Sequence, residues 1–315
     1  MTSVLVTGAG GFIGRRVVAA AGRAGYDVTA VVRKGRASHA PNVVRHDLRL
    51  PPEGLPAADW VFHLAGAYAG AGDEELQAAD SKIAENVVSW GLKVGVKNWV
   101  FASAAEVYGD VEGIATEEAP TRPVIPYGRI KLGVERLLVE RLKDLPDCRV
   151  VILRIAEVYG SEGRLVAELT TRLKRGFCPW PGSGRVTVSF VHVDDVAQAF
   201  VCAIQSARVG VSIYNVTDDI PVSWHDFACR VAQRLKARPP LFLPTSLIYS
   251  YAACSTLACR IAQREPILTR HALRLLLTPK TLSNARVKGE LGFRPRYPGY
   301  LEGMEEALSG LSHDA

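Results

Sequence analysis

Val4-Leu-Val-Thr-Gly-Ala-Gly-Gly-Phe-Ile-Gly14 is the stretch whose reading decides the fold. Its apolar start has strand length, and Gly8, Gly11 and Gly14 follow three apart, at the mouth of a helix expected over about residues 12–24. Glycines there let the backbone turn tightly and approach a pyrophosphate, which then rests on the positive end of the helix dipole. A structural turn is the plainer alternative, but a glycine triplet between a first strand and a first helix favours a dinucleotide site.

Outward from this stretch, Val4–Val6, Val28–Val32, Trp60–Leu64, Trp99–Ala102 and Val150–Arg154 read as successive buried strands, with helical periods at about 12–24, 74–94 and 126–143 between some of them. That alternation predicts right-handed βαβ units on a doubly wound, parallel α/β sheet, with ligands beyond the carboxyl ends of the strands. After Arg154 the pattern loosens, and Pro179-Trp-Pro-Gly-Ser-Gly184 and Arg238-Pro-Pro240 interrupt shorter elements. The expected organisation is a dinucleotide-binding domain over residues 1–160, joined by about 186–216, and a smaller interleaved substrate-binding domain over 161–185 and 217–315.

Bulk properties narrow the partners. A chain of 315 residues that is 48% hydrophobic suits a filled α/β core rather than disorder. The formal net charge of +6 permits a phosphorylated ligand, but the basic runs Arg33-Lys-Gly-Arg36 and Arg172-Leu-Lys-Arg175 are short and lack interleaved aromatics, so nucleic acid is not an expected partner. Six cysteines lie far apart, with no C-x-x-C pair and no histidine at metal-ligand spacing, which reads as buried thiols in a reducing compartment and no metal. Met1-Thr-Ser runs directly into the first strand with no charged n-region, so a cytoplasmic address is expected. Leu241 to Ala258 carries no charged side chain, yet Pro244 and its polar residues leave a helix too short and polar for about 30 Å of hydrocarbon. A substrate-domain helix without stable membrane insertion is the expectation, with an apolar lid or a peripheral membrane contact as alternatives.

The kind of dinucleotide turns on the end of the second strand, where an acid would bind a ribose 2′-hydroxyl. Arg33, Lys34 and Arg36 stand there instead and suit a 2′-phosphate, so NADP is favoured over NAD; a merely solvated basic loop is the alternative. Asp27 is the competing acid, but it begins the strand and belongs at the opposite end of the sheet.

Tyr127 and Lys131, four apart on the third expected helix, share one face, so one can exchange a proton with a substrate oxygen while the other lowers its pKa. Free tyrosine titrates near about 10, and a nearby ammonium favours the phenolate.

Together these motifs resemble the extended short-chain dehydrogenases/reductases, also called the NAD-dependent epimerase/dehydratase family. Thr7-Gly-Ala-Gly-Gly-Phe-Ile-Gly14 is similar to its phosphate loop, His46-Asp-Leu48 to the pair that meets adenine, and His63-Leu-Ala-Gly66 to the stretch beneath the cofactor. Phe101-Ala-Ser-Ala-Ala-Glu-Val-Tyr-Gly109 matches the fourth-strand motif, and Pro126-Tyr-Gly-Arg-Ile-Lys131 the catalytic helix. Leu153-Arg154 to Tyr159-Gly160, Phe190-Val-His-Val-Asp-Asp195 and Tyr214-Asn-Val216 are later landmarks. The resemblance implies an NAD(P)-binding Rossmann fold and hydride transfer at a carbinol carbon, with Tyr127 as acid/base. It places Gly8, Gly11, Phe12, Ile13, Gly14, Arg33, Lys34, Asp47, Leu48, Leu64, Ala65, Gly66, Tyr127, Lys131 and Ile155 against the cofactor. It also implies a possible homodimer through the helix of Tyr127, where Leu132, Leu137 and Leu138 either form a seam or face the sheet.

Departures from the family pattern narrow the reaction. The usual substrate-binding Ser or Thr is Ala104, and the neighbouring Ser103 faces the other side unless the strand bulges there, which keeps Ser103 as a candidate catalytic replacement. Loss of such a donor slows chemistry by about 10²–10³-fold unless another group replaces it. Ala105 and Glu106 stand where 4,6-dehydratases carry Asp and Glu, so that class is disfavoured, while Glu106 remains either an acid/base or a polar strand-end residue. Val188 replaces the arginine that commonly binds a sugar nucleotide's diphosphate, leaving Arg172, Lys174, Arg175 or Arg185 for that task. Leu243-Pro244, Glu265-Pro-Ile-Leu-Thr269, Ser283-Asn-Ala-Arg286 and Glu290-Leu-Gly-Phe-Arg-Pro295 resemble the 3β-hydroxysteroid dehydrogenase and dihydroflavonol-reductase-like branch. The leading expectation is an oxidoreductase of a small secondary alcohol or ketone; the alternatives are a nucleotide-sugar epimerase or 4-ketoreductase and a dinucleotide-binding sensor.

Overall fold

Alternate residues of a strand point to opposite faces, and in the central strands of this chain both sets are apolar, as a sheet covered on both sides requires. The computed structural model describes residues 1–36, 38, 40–66, 74–206, 208–250, 252 and 270–309. Strands β1 (Ser3–Thr7), β2 (Asp27–Val32), β3 (Asn42–Arg45), β4 (Trp60–His63) and β5 (Asn98–Ala104) are followed in the chain by the short β6 (Ile114–Ala115) and by β7 (Arg149–Ile155). Farther on come β8 (Glu157–Tyr159), β9 (Pro179–Pro181), β10 (Thr187–Val188), β11 (Phe190–His192) and β12 (Gly210–Val216). A seven-stranded sheet runs β12-β7-β5-β4-β1-β2-β3, and every pairing in it is parallel. The strand order reverses between β1 and β4, which opens a ligand crevice at their carboxyl ends.

Helix α1 (Phe12–Arg23) packs with α5 (Val193–Ile204) on one face, where Val4, Val6, Phe62, Val100 and Leu153 meet Val17, Ala21 and Phe200. On the other face α2 (Glu74–Lys93) pairs with α3 (Pro126–Leu142), and Leu5, Val61, Phe101 and Ile152 meet Val87, Trp90 and Leu138. Pro126 opens α3 at a position that needs no amide donor, and Ile125 before it is extended, as a residue preceding proline prefers. Leu132 is buried in the first core and Leu138 in the second, and Leu137 packs partly buried against the second.

The five anticipated strands and three anticipated helices form. β3 and β12 join the sheet in addition, with β3 at an edge, where Asn42 and Arg45 are exposed and the apolar signal is correspondingly weak. Within residues 186–216 only β12 enters the sheet, whereas β11 pairs with β8 at its rim. A third core gathers α4 (Arg164–Lys174) and α6 (Trp224–Arg234) around Phe190 and Phe227, whose rings stack at 4.4 Å and 3°. Ser223 caps α6 by accepting from the Asp226 amide. Leu241–Leu243 forms a strand against β9, the backbone turns helical after Pro244 over 245–250, and Ile248 and Ala252 pack on Leu273; residues 251 and 253–258 of the uncharged segment, and Glu265–Thr269, lie outside the described residues. Among the described residues no helix is long and apolar enough to cross a membrane.

Beneath α3 lies a buried ion pair. Arg154 donates from Nε to Glu135 Oε1 at 3.1 Å and from Nη2 to Oε2 at 2.8 Å, and both side chains are about 5% exposed or less. Removing one partner strands the other charge away from water. Arg154→Met is therefore expected to lower stability by about 3–5 kcal/mol, read as a fall in the urea unfolding midpoint at unchanged slope.

Candidate functional site

The glycine loop turns because Gly8 has φ of +69°, and a Cβ on Gly14 would come within 2.2 Å of the Gly8 carbonyl oxygen. α1 thus starts hard against the end of β1. Its Gly11 cap makes no side-chain bond and its first turn holds no acid, so the orphan amides of that turn are left for an anion. This cradle fits a pyrophosphate. Thr7, which the sequence reading passed over, fixes the floor: its Oγ1 accepts from the amides of Leu64 and Ala65 at 3.2 Å each and shares a 2.9 Å hydrogen bond with His63 Nδ1. Burial, and then the Lys131 charge, push His63 down to about 3, so this ring stays neutral.

At the carboxyl end of β2 lies a cleft of about 430 Å³ lined by Arg33, Lys34, Arg36, Arg45 and Arg49, with Asp47 as its one acid. Arg45 and Arg49 escaped the sequence reading because only the β2–β3 pairing brings the end of β3 beside the end of β2. Asp47 is held by Arg49 and drops to about 2, largely through that hydrogen bond. Leu48 is buried and its carbonyl accepts from Asn86 of α2 at 2.9 Å. Asp27 lies at the far end of β2, level with Ser3 and bonded by Asn42, well away from this cleft.

Tyr127 is half-buried and Lys131 buried, with the ammonium 5.7 Å from the Tyr127 ring and 5.2 Å from the Phe101 ring. The expected lowering of the Tyr127 pKa is not what this environment produces. Burial raises it far above the ordinary tyrosine range, and the charges of Glu106, Asp80 and Glu157 raise it further. Burial likewise lowers Lys131 despite Asp80, Glu135 and Glu106 nearby. The pair, in this state, is a protonated phenol beside a buried lysine.

Ser103 does not join them. Its hydroxyl donates to Glu135, eight residues along α3 from Tyr127, so it belongs to the ion pair beneath the helix. Glu106, in the short turn Ala105–Val107 after β5, is buried and paired with Lys280, which also lies 3.5 Å from Glu157. An engaged carboxylate is a poor free base. Lys280 gave no sequence signal, because a lone lysine in Thr278-Pro-Lys280 reads as surface and only the tertiary fold carries it to the strand ends. Val188 is fully buried, and the backbone of Lys280 lies against it. Arg172 pairs with Glu168, and Lys174, Arg175 and Arg185 are exposed, so none of the four belongs to the buried cluster around Tyr127. Ile155 ends β7 at the same rim, buried beside the first core.

Comparisons with known proteins agree with this geometry. A "3beta-hydroxysteroid-dehydrogenase/decarboxylase isoform 1" from Arabidopsis thaliana is 25% identical over 303 residues, covering 90% of this chain and 68% of that protein. A "3-diazoavenalumate denitrifying reductase" from Streptomyces sp is 29% identical over 320 residues, covering 96% of this chain and 98% of the relative. A solved structure, "MoeE5 in complex with UDP-glucuronic acid and NAD", has a TM-score of 0.75 at 26% identity and covers 99% of this chain and 100% of its own. The family model for the "NAD dependent epimerase/dehydratase family" matches residues 4–217. Glycine cradle, parallel sheet and matched span agree, and the chain belongs to the NAD dependent epimerase/dehydratase family, as an enzyme of its oxidoreductase and epimerase chemistry.

Proposed function

We propose that the protein is an NADP(H)-linked oxidoreductase that interconverts a secondary alcohol and its ketone, with Tyr127 exchanging the hydroxyl proton. The observation that carries this reading is the Tyr127 phenol on α3, one turn from the buried Lys131 whose ammonium lies 5.7 Å from its ring, and kept protonated by burial and by three neighbouring acids. A protonated phenol donates, so the site is poised for ketone reduction at neutral pH, whereas oxidation needs the phenolate. When bound, the dinucleotide supplies or accepts the hydride at the substrate carbon.

The residues fit that group. Gly8, Gly11 and Gly14 with the first turn of α1 would hold the pyrophosphate, flanked by Phe12 and Ile13; Asp47 and Leu48 would meet the adenine. Leu64, Ala65, Gly66 and Ile155 would lie along the cofactor, and Lys131 would reach the nicotinamide ribose. Residues 161–185 and 217–315 would cover the substrate. Five cations around one acid at the end of β2 support a 2′-phosphate and hence NADP over NAD. The buried Val188, where a diphosphate-binding arginine would stand, favours a ketone or alcohol over a sugar nucleotide.

Tyr127→Phe is expected to lower kcat by about 10²–10⁴-fold while NADPH still binds in a fluorescence titration; undiminished activity would point to a sensor instead. Because the Tyr127 pKa lies above the ordinary value of about 10, the proton donor persists throughout the neutral range. Steady-state reduction should stay level from about pH 6 to about pH 9, while oxidation climbs with pH over the same interval. Replacing Arg33 and Arg45 together by Ala removes charge-assisted contacts worth about 1.5–3 kcal/mol, so the Kd for NADPH should rise about 10- to 100-fold and that for NADH should not.

A further inference from the structure

We propose that Lys280 is a catalytic residue that donates a hydrogen bond to the reacting oxygen of the substrate, in place of the hydroxyl that Ala104 lacks; this rests on the hydride-transfer reading above. The backbone of Lys280 is fixed, its amide donating to the Thr187 carbonyl at 3.2 Å and its carbonyl accepting from the Ser189 amide at 2.8 Å. From that anchor the side chain reaches Glu106, just past β5, and Glu157, just past β7. Both acids stand at the carboxyl ends of the strands, where this sheet binds ligands. Glu106 packs directly on the catalytic helix: a Cβ on Gly128, the residue after Tyr127, would fall 2.3 Å from the Glu106 carbonyl oxygen. Glu106, the partner of the ammonium, thus packs on the helix that carries Tyr127, and Glu106 and Glu157 both act electrostatically on Tyr127.

A lysine only 4% exposed is costly, and an apolar trio of similar volume would serve stability as well. Stability alone therefore gives little reason to place it here. An ammonium has three donors, and two carboxylates account for two of them. Burial raises the Glu157 pKa, Lys280 opposes that rise and the charge of Glu106 adds to it, while the third donor of the ammonium is left over from these two partners. Burial alone would lower Lys280, but Glu106 and Glu157 together raise it, so the ammonium stays charged. In the reduction, hydride adds to the carbonyl carbon, the C–O π pair moves onto oxygen, and that oxygen takes the Tyr127 proton; the phenolate regains a proton from solvent. Lys280 keeps its own proton and stabilises the negative charge as it forms.

The test is the variant Lys280→Met with Glu106→Gln and Glu157→Gln, which removes all three charges and leaves none stranded, followed by addition of Ala104→Ser. Dinucleotide affinity and kcat on a ketone panel are measured for each. The expected result is a loss of about 10²–10³-fold in kcat at unchanged NADPH affinity, with at least about a tenfold return on adding Ala104→Ser, a recovery that a merely structural lysine would not give. Undiminished kcat, or no return, overturns the proposal while the wild-type activity stands. A wild type that binds NADPH but reduces no ketone removes the function and this inference together. If the neutral variant does not fold, Lys280→Arg decides: it keeps the charge but moves the donor, so a kcat lowered at least about tenfold supports the proposal and an unchanged one refutes it.

Discussion

Glu135 lies 4% exposed under α3, one helical turn beyond Lys131 and two beyond Tyr127, and Arg154 of β7 holds both of its oxygens. Because residues four apart share a helix face, fixing Glu135 against β7 fixes the rotation of the whole helix. Tyr127 and Lys131 are thereby held on the same face, with the Lys131 ammonium over the Phe101 ring of β5. Ser103 adds a third hand on the same carboxylate, and Arg154 lies 4.8 Å over the Tyr108 ring, whose hydroxyl donates to Asn215 of β12 at 2.7 Å. Three strands and the catalytic helix are thereby tied through one desolvated pair, whose worth lies in unique geometry more than in net stability.

The rim above that pair is a study in charge balance. Glu106, Glu157 and Asp80 surround Tyr127, while Lys131 and Lys280 answer them from two different parts of the chain. Low dielectric makes each of these interactions stronger than it would be in water, and makes any unpaired member costly. The outcome for Tyr127 is a phenol rather than a phenolate. The pair of residues that marks the family by spacing thus depends, for its protonation state, on acids that the spacing does not mention.

Much of the fold was legible because its physical causes are local. Val4–Val6 with Gly8, Gly11 and Gly14 carry strand, turn and helix start within eleven residues. Strands buried on both faces read as apolar runs, and Pro126 marks the start of α3. β3 was missed because an edge strand with exposed ends has no such run. Strand periodicity sets Ser103 on the opposite face from Ala104, so the catalytic role expected of it gives way to a bond with Glu135, 32 residues away and without a sequence signal.

The sequence by itself determined the dinucleotide cradle, the Tyr127–Lys131 face and the absence of a hydroxyl at Ala104, because glycine geometry, helical period and side-chain identity are properties of neighbouring residues. Only the tertiary structure decided that Arg45 and Arg49 complete the basic cleft, that Glu106 is engaged, that Tyr127 is protonated, and that Lys280 stands at the strand ends. Each of these depends on desolvation and on charges brought together across long stretches of chain, and neither exists until the sheet has closed over them.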